Sequence, residues 1–132
     1  MPSLVKIKIE SARDLPIMDH SVQSADASTD AFVEVKLNNI TQKTSTCRKS
    51  LNPVWNNDFR FEVIDDSTLQ DSPIEFCVMD QDLYSSELIG VVYVDLNPLI
   101  MRTAQVTDAR DPLIISGWFP IFDTVSNMYF HE

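Results

Sequence analysis

Glycine, cysteine and histidine are scarce in this chain of 132 residues, with two of each, and every scarcity removes a class of function. Gly90 and Gly117 stand alone, so no glycine-rich loop exists to cradle a phosphate, and the common nucleotide-binding motifs are excluded. Cys47 and Cys77 are too few for a disulfide scaffold and point to a reducing compartment. With only His20 and His131 as imidazoles and the cysteines isolated, a transition-metal centre lacks its ligands. Positive charge is also scarce. Ten basic residues face twenty acidic ones, a formal charge of −10, which is the wrong sign for a nucleic-acid partner. No apolar run reaches membrane-spanning length. Met1-Pro2-Ser3-Leu4-Val5-Lys6 enters an alternating pattern without a signal-peptide core, so a cytoplasmic location is expected.

What the chain does contain is alternation. Hydrophobic content of 44% supports one folded domain with one core. Val5, Ile7 and Ile9 alternate with Lys6 and Lys8 in a first strand, Leu4 to Glu10. Ser11 to Thr29 reads as a long loop. A second strand follows Asp30, with Ala31, Val33, Val35 and Leu37 inward and Phe32, Glu34 and Lys36 outward. Asn38-Asn39 is turn chemistry, leading to a polar third strand from Thr41 to Thr46. Arg48 to Pro53 is loop, and Trp55, Phe59, Phe61 and Val63 give a fourth strand with an aromatic face. Ile74 to Asp82, Leu88 to Leu96 and Ile114 to Phe122 supply three more. Seven short strands with closely spaced turn signals predict an all-β, antiparallel sandwich.

One strand ends oddly. Ile74, Phe76 and Val78 share a parity that continues into Asp80 and Asp82, so a core-facing row turns from hydrocarbon into carboxylate. Like charges at that spacing oppose folding, and a cation resolves the conflict. In an antiparallel sandwich alternate connectors gather at one end. Asp19, Asp26 and Asp30 from the first long loop therefore join Asp80, Asp82 and Glu87, with Arg48, Lys49 and Asn52 at the same pole. A mouth of Asp19, Asp30, Asp80, Asp82 and Glu87 offers the oxygen ligands that calcium takes. An EF-hand loop counted from Asp80 fails, because its glycine and glutamate positions hold Ser85 and Val91. An aspartate-nucleophile phosphotransferase fails too, because it needs a larger α/β body. No Ser/His/Asp arrangement or activated cysteine is visible, so no catalysis is expected.

Asp14-Leu15-Pro16-Ile17-Met18-Asp19, Thr29-Asp30-Ala31-Phe32-Val33, Ser50-Leu51-Asn52-Pro53-Val54-Trp55-Asn56 and Val78-Met79-Asp80-Gln81-Asp82 through Ile89-Gly90 together resemble the signatures of the C2 domain family. That resemblance implies an eight-stranded, antiparallel Greek-key β-sandwich over residues 1–124. Residues 125–132 then form a short tail or edge strand, and the last strand is short or missing. It also implies calcium as the cofactor and an anionic phospholipid membrane as the partner of three loops at one pole. By position, Asp19 and Asp30 are first-loop ligands, Asp80 and Asp82 third-loop ligands, and Glu87 holds the family's fifth acidic position. Met18 and Gln81 contribute backbone carbonyls. The third loop is one residue shorter than the family's, and one calcium site is expected.

Leu83 and Tyr84 at the third-loop tip, and Val22 from the first loop, are the residues expected to insert into the membrane interface. Lys36 and Lys43 match positions of a phosphoinositide-binding patch that some members carry. The expected function is calcium-dependent membrane targeting of a protein recruited peripherally from the cytoplasm. The rival is a calcium-independent protein-interaction domain whose acidic pole is vestigial. A missing last strand would leave an exposed sheet edge open to a protein partner or a second copy.

Overall fold

A computed structural model describes residues 3–18, 29–63, 73–96, 116–122 and 127–131. Eight strands run through them: β1 (Ser3–Arg13), β2 (Ala31–Leu37), β3 (Ile40–Lys43), β4 (Val54–Val63), β5 (Ile74–Gln81), β6 (Ser86–Val94), β7 (Trp118–Phe122) and β8 (Asn127–His131). Their order is β3-β2-β5-β6-β7-β8-β1-β4, and every recorded pairing is antiparallel. Among the described residues a single register pair, Val91 opposite Phe122, joins β6 to β7. The continuous order thus divides into two four-stranded halves hinged at that pair.

The two halves bury their alternating rows against each other. Ile7, Ile9, Phe59, Phe61 and Val63 come from one half, and Val33, Val35, Phe76, Val78 and Val92 from the other, in one apolar cluster. Trp55 closes the cluster near the acidic pole. Its indole Nε1–H donates to the Ala31 carbonyl at 3.0 Å, satisfying the one polar atom of a buried ring and tying β4 to the start of β2.

One expectation from alternation is corrected. Phe32 lies on the outward parity yet is 3% exposed. The Lys43 ammonium sits 5.8 Å from the ring centroid, and Met79 lies opposite in register, so the ring is covered on the sheet's outer face. The last strand is present and short, five residues long. β8 pairs with β7 over Trp118–Phe122 and with β1 over Ser11–Arg13, so it fills the place that a missing last strand would have left open. The sheet's ends are β3 and β4 instead. Gln42 Nε2 donates to the Arg60 carbonyl at 3.0 Å, bridging these two end strands, and the Ser45 amide, just past β3, donates to Asn57 Oδ1 of β4 at 3.1 Å. β1 also runs to Arg13 rather than stopping at Glu10, because a bulge between Ile9 and Ser11 carries it past β4's irregular start and on to β8. Asn56, at φ +49°, lies in the β4 segment opposite that bulge.

Cys77 is also buried on the outward parity, between Glu34 of β2 and Val91 of β6. Burial pushes its thiol up from 9.0 to about 11, helped by the hydrogen bond it donates to Glu75 Oε1 at 3.3 Å. Below pH 9.0 both folded and unfolded chains hold this proton. As pH rises from there to about 11, only the unfolded chain ionises, so stability is expected to fall across that window. Iodoacetamide at pH 8 should accordingly modify the half-buried Cys47 first, and Cys77 only after denaturation, as peptide mass mapping would show.

Candidate functional site

The acidic pole is built where three connectors meet the first residues of β2. Pairing of Ala31 with Asp80 sets the end of β5 against the start of β2. The Asp30 amide donates to Asp80 Oδ1 at 2.9 Å, and the Gln81 amide donates to the Asp30 carbonyl at 2.8 Å. Asp80 is 0% exposed, so the core-facing row does end in a buried carboxylate. Across β5 and β6, Asp80 faces Glu87 and Gln81 faces Ser86. The Asp82 amide donates to the Ser85 carbonyl at 2.8 Å, closing a short turn that presents Leu83 and Tyr84 at its tip.

Asp80, Asp82 and Glu87 each place a carboxylate oxygen within 4.8 Å of the other two. Calcium binds oxygen at about 2.3–2.6 Å, so two of its ligands stand at most about 5 Å apart. The three carboxylates already meet that limit, and an all-oxygen, acidic donor set suits calcium better than a transition metal. The Asp30 carboxylate stands outside this convergent group. Its Oδ1 accepts the Lys49 amide at 2.7 Å, and Lys49 itself is left-handed at φ +53°. Glu87, from the start of β6, therefore sits with Asp80 and Asp82, while Asp30 braces the β3–β4 connector.

Of the remaining sequence candidates, Met18 is half-buried, and its amide donates to Thr29 Oγ1 at 3.1 Å. Asp19 and Val22, together with Asp26, lie outside the described residues. Leu83 and Tyr84 are 89% and 96% exposed, which leaves two large apolar side chains in water beside the carboxylates. Lys36 and Lys43 share the outer face of β2 and β3, diagonal to each other across Glu34, which stands 4.0 Å from the Lys36 ammonium and opposite Lys43 in register. Among the described residues no helix is long and apolar enough to cross a membrane.

Sequence reasoning missed Thr29. Its hydroxyl donates to the Pro16 carbonyl at 2.6 Å while accepting the Met18 amide, and the side chain is fully buried. A threonine before a strand carries no periodic signal, so only the spatial return of Pro16 and Met18 reveals its role. Asn52 belongs to this pole by connector parity, which assigns it no task. Its Oδ1 accepts the Asp14 amide at 3.0 Å and holds the end of β1 against the β3–β4 connector.

The chain has relatives among known proteins. The family model of the C2 domain matches residues 3–113. C2 domain-containing protein 5 of Xenopus tropicalis is 49% identical over 127 residues, which is 95% of this chain and 11% of that protein. Its counterpart in Homo sapiens is likewise 49% identical, over 12% of its length. Multiple C2 domain and transmembrane region protein 8 of Arabidopsis thaliana is 41% identical over 98 residues, 74% of this chain and 9% of that protein. The chain thus spans only about a tenth of the length of the relatives it matches. Among solved structures, the calcium-bound pair of C2 domains of extended synaptotagmin 2 superposes with a TM-score of 0.76 at 18% identity, over 97% of this chain and 43% of that one. A C2 domain of plant extended synaptotagmin 1 gives 0.69 at 24% identity, over 97% and 88%. These two likenesses show the fold. Family match, sequence identity and fold agree: the chain belongs to the C2 domain family.

Proposed function

We propose that this chain is a calcium-dependent phospholipid-binding module that carries a protein to anionic membranes. The observation that carries this reading is the convergence of Asp80, Asp82 and Glu87 beside an exposed Leu83-Tyr84 tip. These three carboxylates would hold the ion, with Asp30, Asp19 and the Met18 and Gln81 carbonyls as further oxygen donors. Bound calcium supplies positive charge at the pole and coordination positions for lipid phosphate oxygens. Without it, the carboxylates repel an anionic headgroup layer. Leu83 and Tyr84 add the apolar part of the attachment by leaving water for the interface. Transmembrane regions in the name of one relative, and calcium bound in a structure of the same fold, support the same reading. Binding, rather than catalysis, is the task proposed.

A calcium-independent interaction domain is the second reading. It is favoured by the Lys49 amide, which already occupies one Asp30 oxygen. Calorimetric titration with calcium, paired with sedimentation on phosphatidylserine–phosphatidylcholine vesicles, separates the two. The first reading expects calcium-binding heat and vesicle retention only with calcium. No heat and no thermal shift at millimolar calcium would overturn it. Leu83→Ala with Tyr84→Ala is expected to weaken vesicle retention about tenfold, since burying such side chains contributes about 1.5–3 kcal/mol each when complete. The calcium heat in solution should stay unchanged, and a parallel loss of that heat would show that the tip shapes the ion site instead.

A further inference from the structure

We propose that Thr29 is the positioning residue that couples the β1–β2 and β3–β4 connectors to the end of β5 at the acidic pole, so that its hydroxyl sets calcium affinity without touching the ion; this rests on the calcium reading above. Thr29 and Asp30 form a two-residue hub. From the β1–β2 connector, the Pro16 carbonyl accepts the Thr29 hydroxyl at 2.6 Å, and the Met18 amide donates to the same oxygen at 3.1 Å. From the β3–β4 connector, the Ser50 amide donates to the Thr29 carbonyl at 3.0 Å, and the Lys49 amide donates to Asp30 Oδ1 at 2.7 Å. From the end of β5, Gln81 donates to the Asp30 carbonyl at 2.8 Å, and Asp80 Oδ1 accepts the Asp30 amide at 2.9 Å. No other described residue pair is hydrogen-bonded to the β1–β2 connector, the β3–β4 connector and the end of β5 in the bonds recorded at this pole.

Thr29 is 0% exposed, so both bonds of its hydroxyl are made away from solvent, where satisfied networks are rigid and broken ones costly. The Asp80 carboxylate is set by Asp30, Asp30 by Lys49 and Gln81, and the start of β2 by Thr29. Among the described residues, the hydroxyl therefore makes the only side-chain hydrogen bonds recorded to Pro16 and Met18, and the backbone of Thr29 carries that anchorage to Asp30, whose amide Asp80 accepts. Groups that orient metal ligands typically change affinity by about 10–100-fold when removed.

The test uses the full chain with Thr29→Val, which keeps the shape and removes the hydroxyl, and Thr29→Ser, which keeps the hydroxyl. Thr29→Ala repeats the measurement if the valine variant does not fold. Calorimetry should show calcium affinity reduced about tenfold in Thr29→Val and restored to near the unmodified value in Thr29→Ser. In calcium-free protein, amide hydrogen exchange should speed up at Met18 and also at Asp30 and Lys49 in Thr29→Val. It should remain slow in Thr29→Ser. Unchanged calcium affinity in Thr29→Val, or equal losses in the valine and serine variants, overturns the proposal. Should the unmodified chain give no calcium heat, the calcium reading itself falls. The exchange measurement then still decides the coupling: faster exchange confined to Met18 overturns it, and faster exchange reaching Asp30 and Lys49 sustains it.

Discussion

Replacing Asp80 and Asp82 together by asparagine is expected to abolish calcium-dependent vesicle retention and to weaken calcium binding by at least two orders of magnitude. In calcium-free buffer the same double variant should be more stable than the unmodified chain. Both signs come from one geometry. Three carboxylates within 4.8 Å of one another provide the charge that a cation needs, and they repel when it is absent. Two like charges at that separation cost about 1 kcal/mol even where the dielectric is close to that of water. Relief of that repulsion should raise the thermal midpoint by a few degrees. Asparagine retains an oxygen to accept the Asp30 amide at position 80, so the start of β2 stays anchored and the charge effect is read in isolation. Scanning fluorimetry with and without calcium, beside vesicle sedimentation, measures both halves. A lower midpoint in calcium-free buffer, or unaltered calcium affinity, would contradict the assignment. Function carried at a cost in stability is the expected pattern for a binding site.

Gly90→Val is expected to cost at least about 1–3 kcal/mol, the usual penalty for forcing atoms into a packed interior, and that is a large share of the stability of an ordinary domain. A Cβ at Gly90 would stand 2.5 Å from Cγ2 of the fully buried Ile121 and 3.0 Å from the Phe122 carbonyl. Register explains the crowding. Val78 faces Gly90 whereas Met79 faces Leu88, so Ile89 is the extra residue of a bulge. Gly90 follows it where β7 crosses. Phe122 forms the recorded pair that joins β6 to β7, so displacing it strains the junction between the two halves. Urea unfolding of Gly90→Ala with and without Ile121→Ala provides the check. The glycine substitution should cost less once Ile121 is trimmed, and equal costs in both backgrounds would place the strain elsewhere.

Strand parity carried much of this structure into view. Ile74, Phe76, Val78 and Asp80 share the buried face as alternation requires, because a strand's period is set by its backbone. The grouping of alternate connectors was legible for the same reason, and it brought Asp30 to Asp80 before any coordinates. What alternation misses is cover supplied by neighbouring strands on the outer face. Phe32 and Cys77 are buried on a face that it assigns to solvent, since Lys43, Met79 and Val91 flank them. Bulges were equally illegible: the irregularity between Ile9 and Ser11 extends β1 by register, which no local pattern encodes. At the site, register decided which carboxylates meet. Glu87 reaches Asp80 because the two are opposite in register, and Asp30 stays out of the triad because a backbone amide from a distant connector holds it.

The place of β8 bears on how the chain comes to be folded. Ala12 pairs with Phe130 and Trp118 with His131, so the last strand is wedged between the first strand and its predecessor. β1 can pair early with β4, but it cannot be joined to β7 until Asn127–His131 have been made. On a ribosome, where synthesis proceeds at about 5–20 residues per second, one half of the sandwich must therefore wait, incomplete, for its final strand. Contacts spanning nearly the whole sequence also bring a heavy loop-closure entropy, which places such a topology among slow-folding domains. Truncations within the last strand should consequently act on folding yield before they act on the acidic pole.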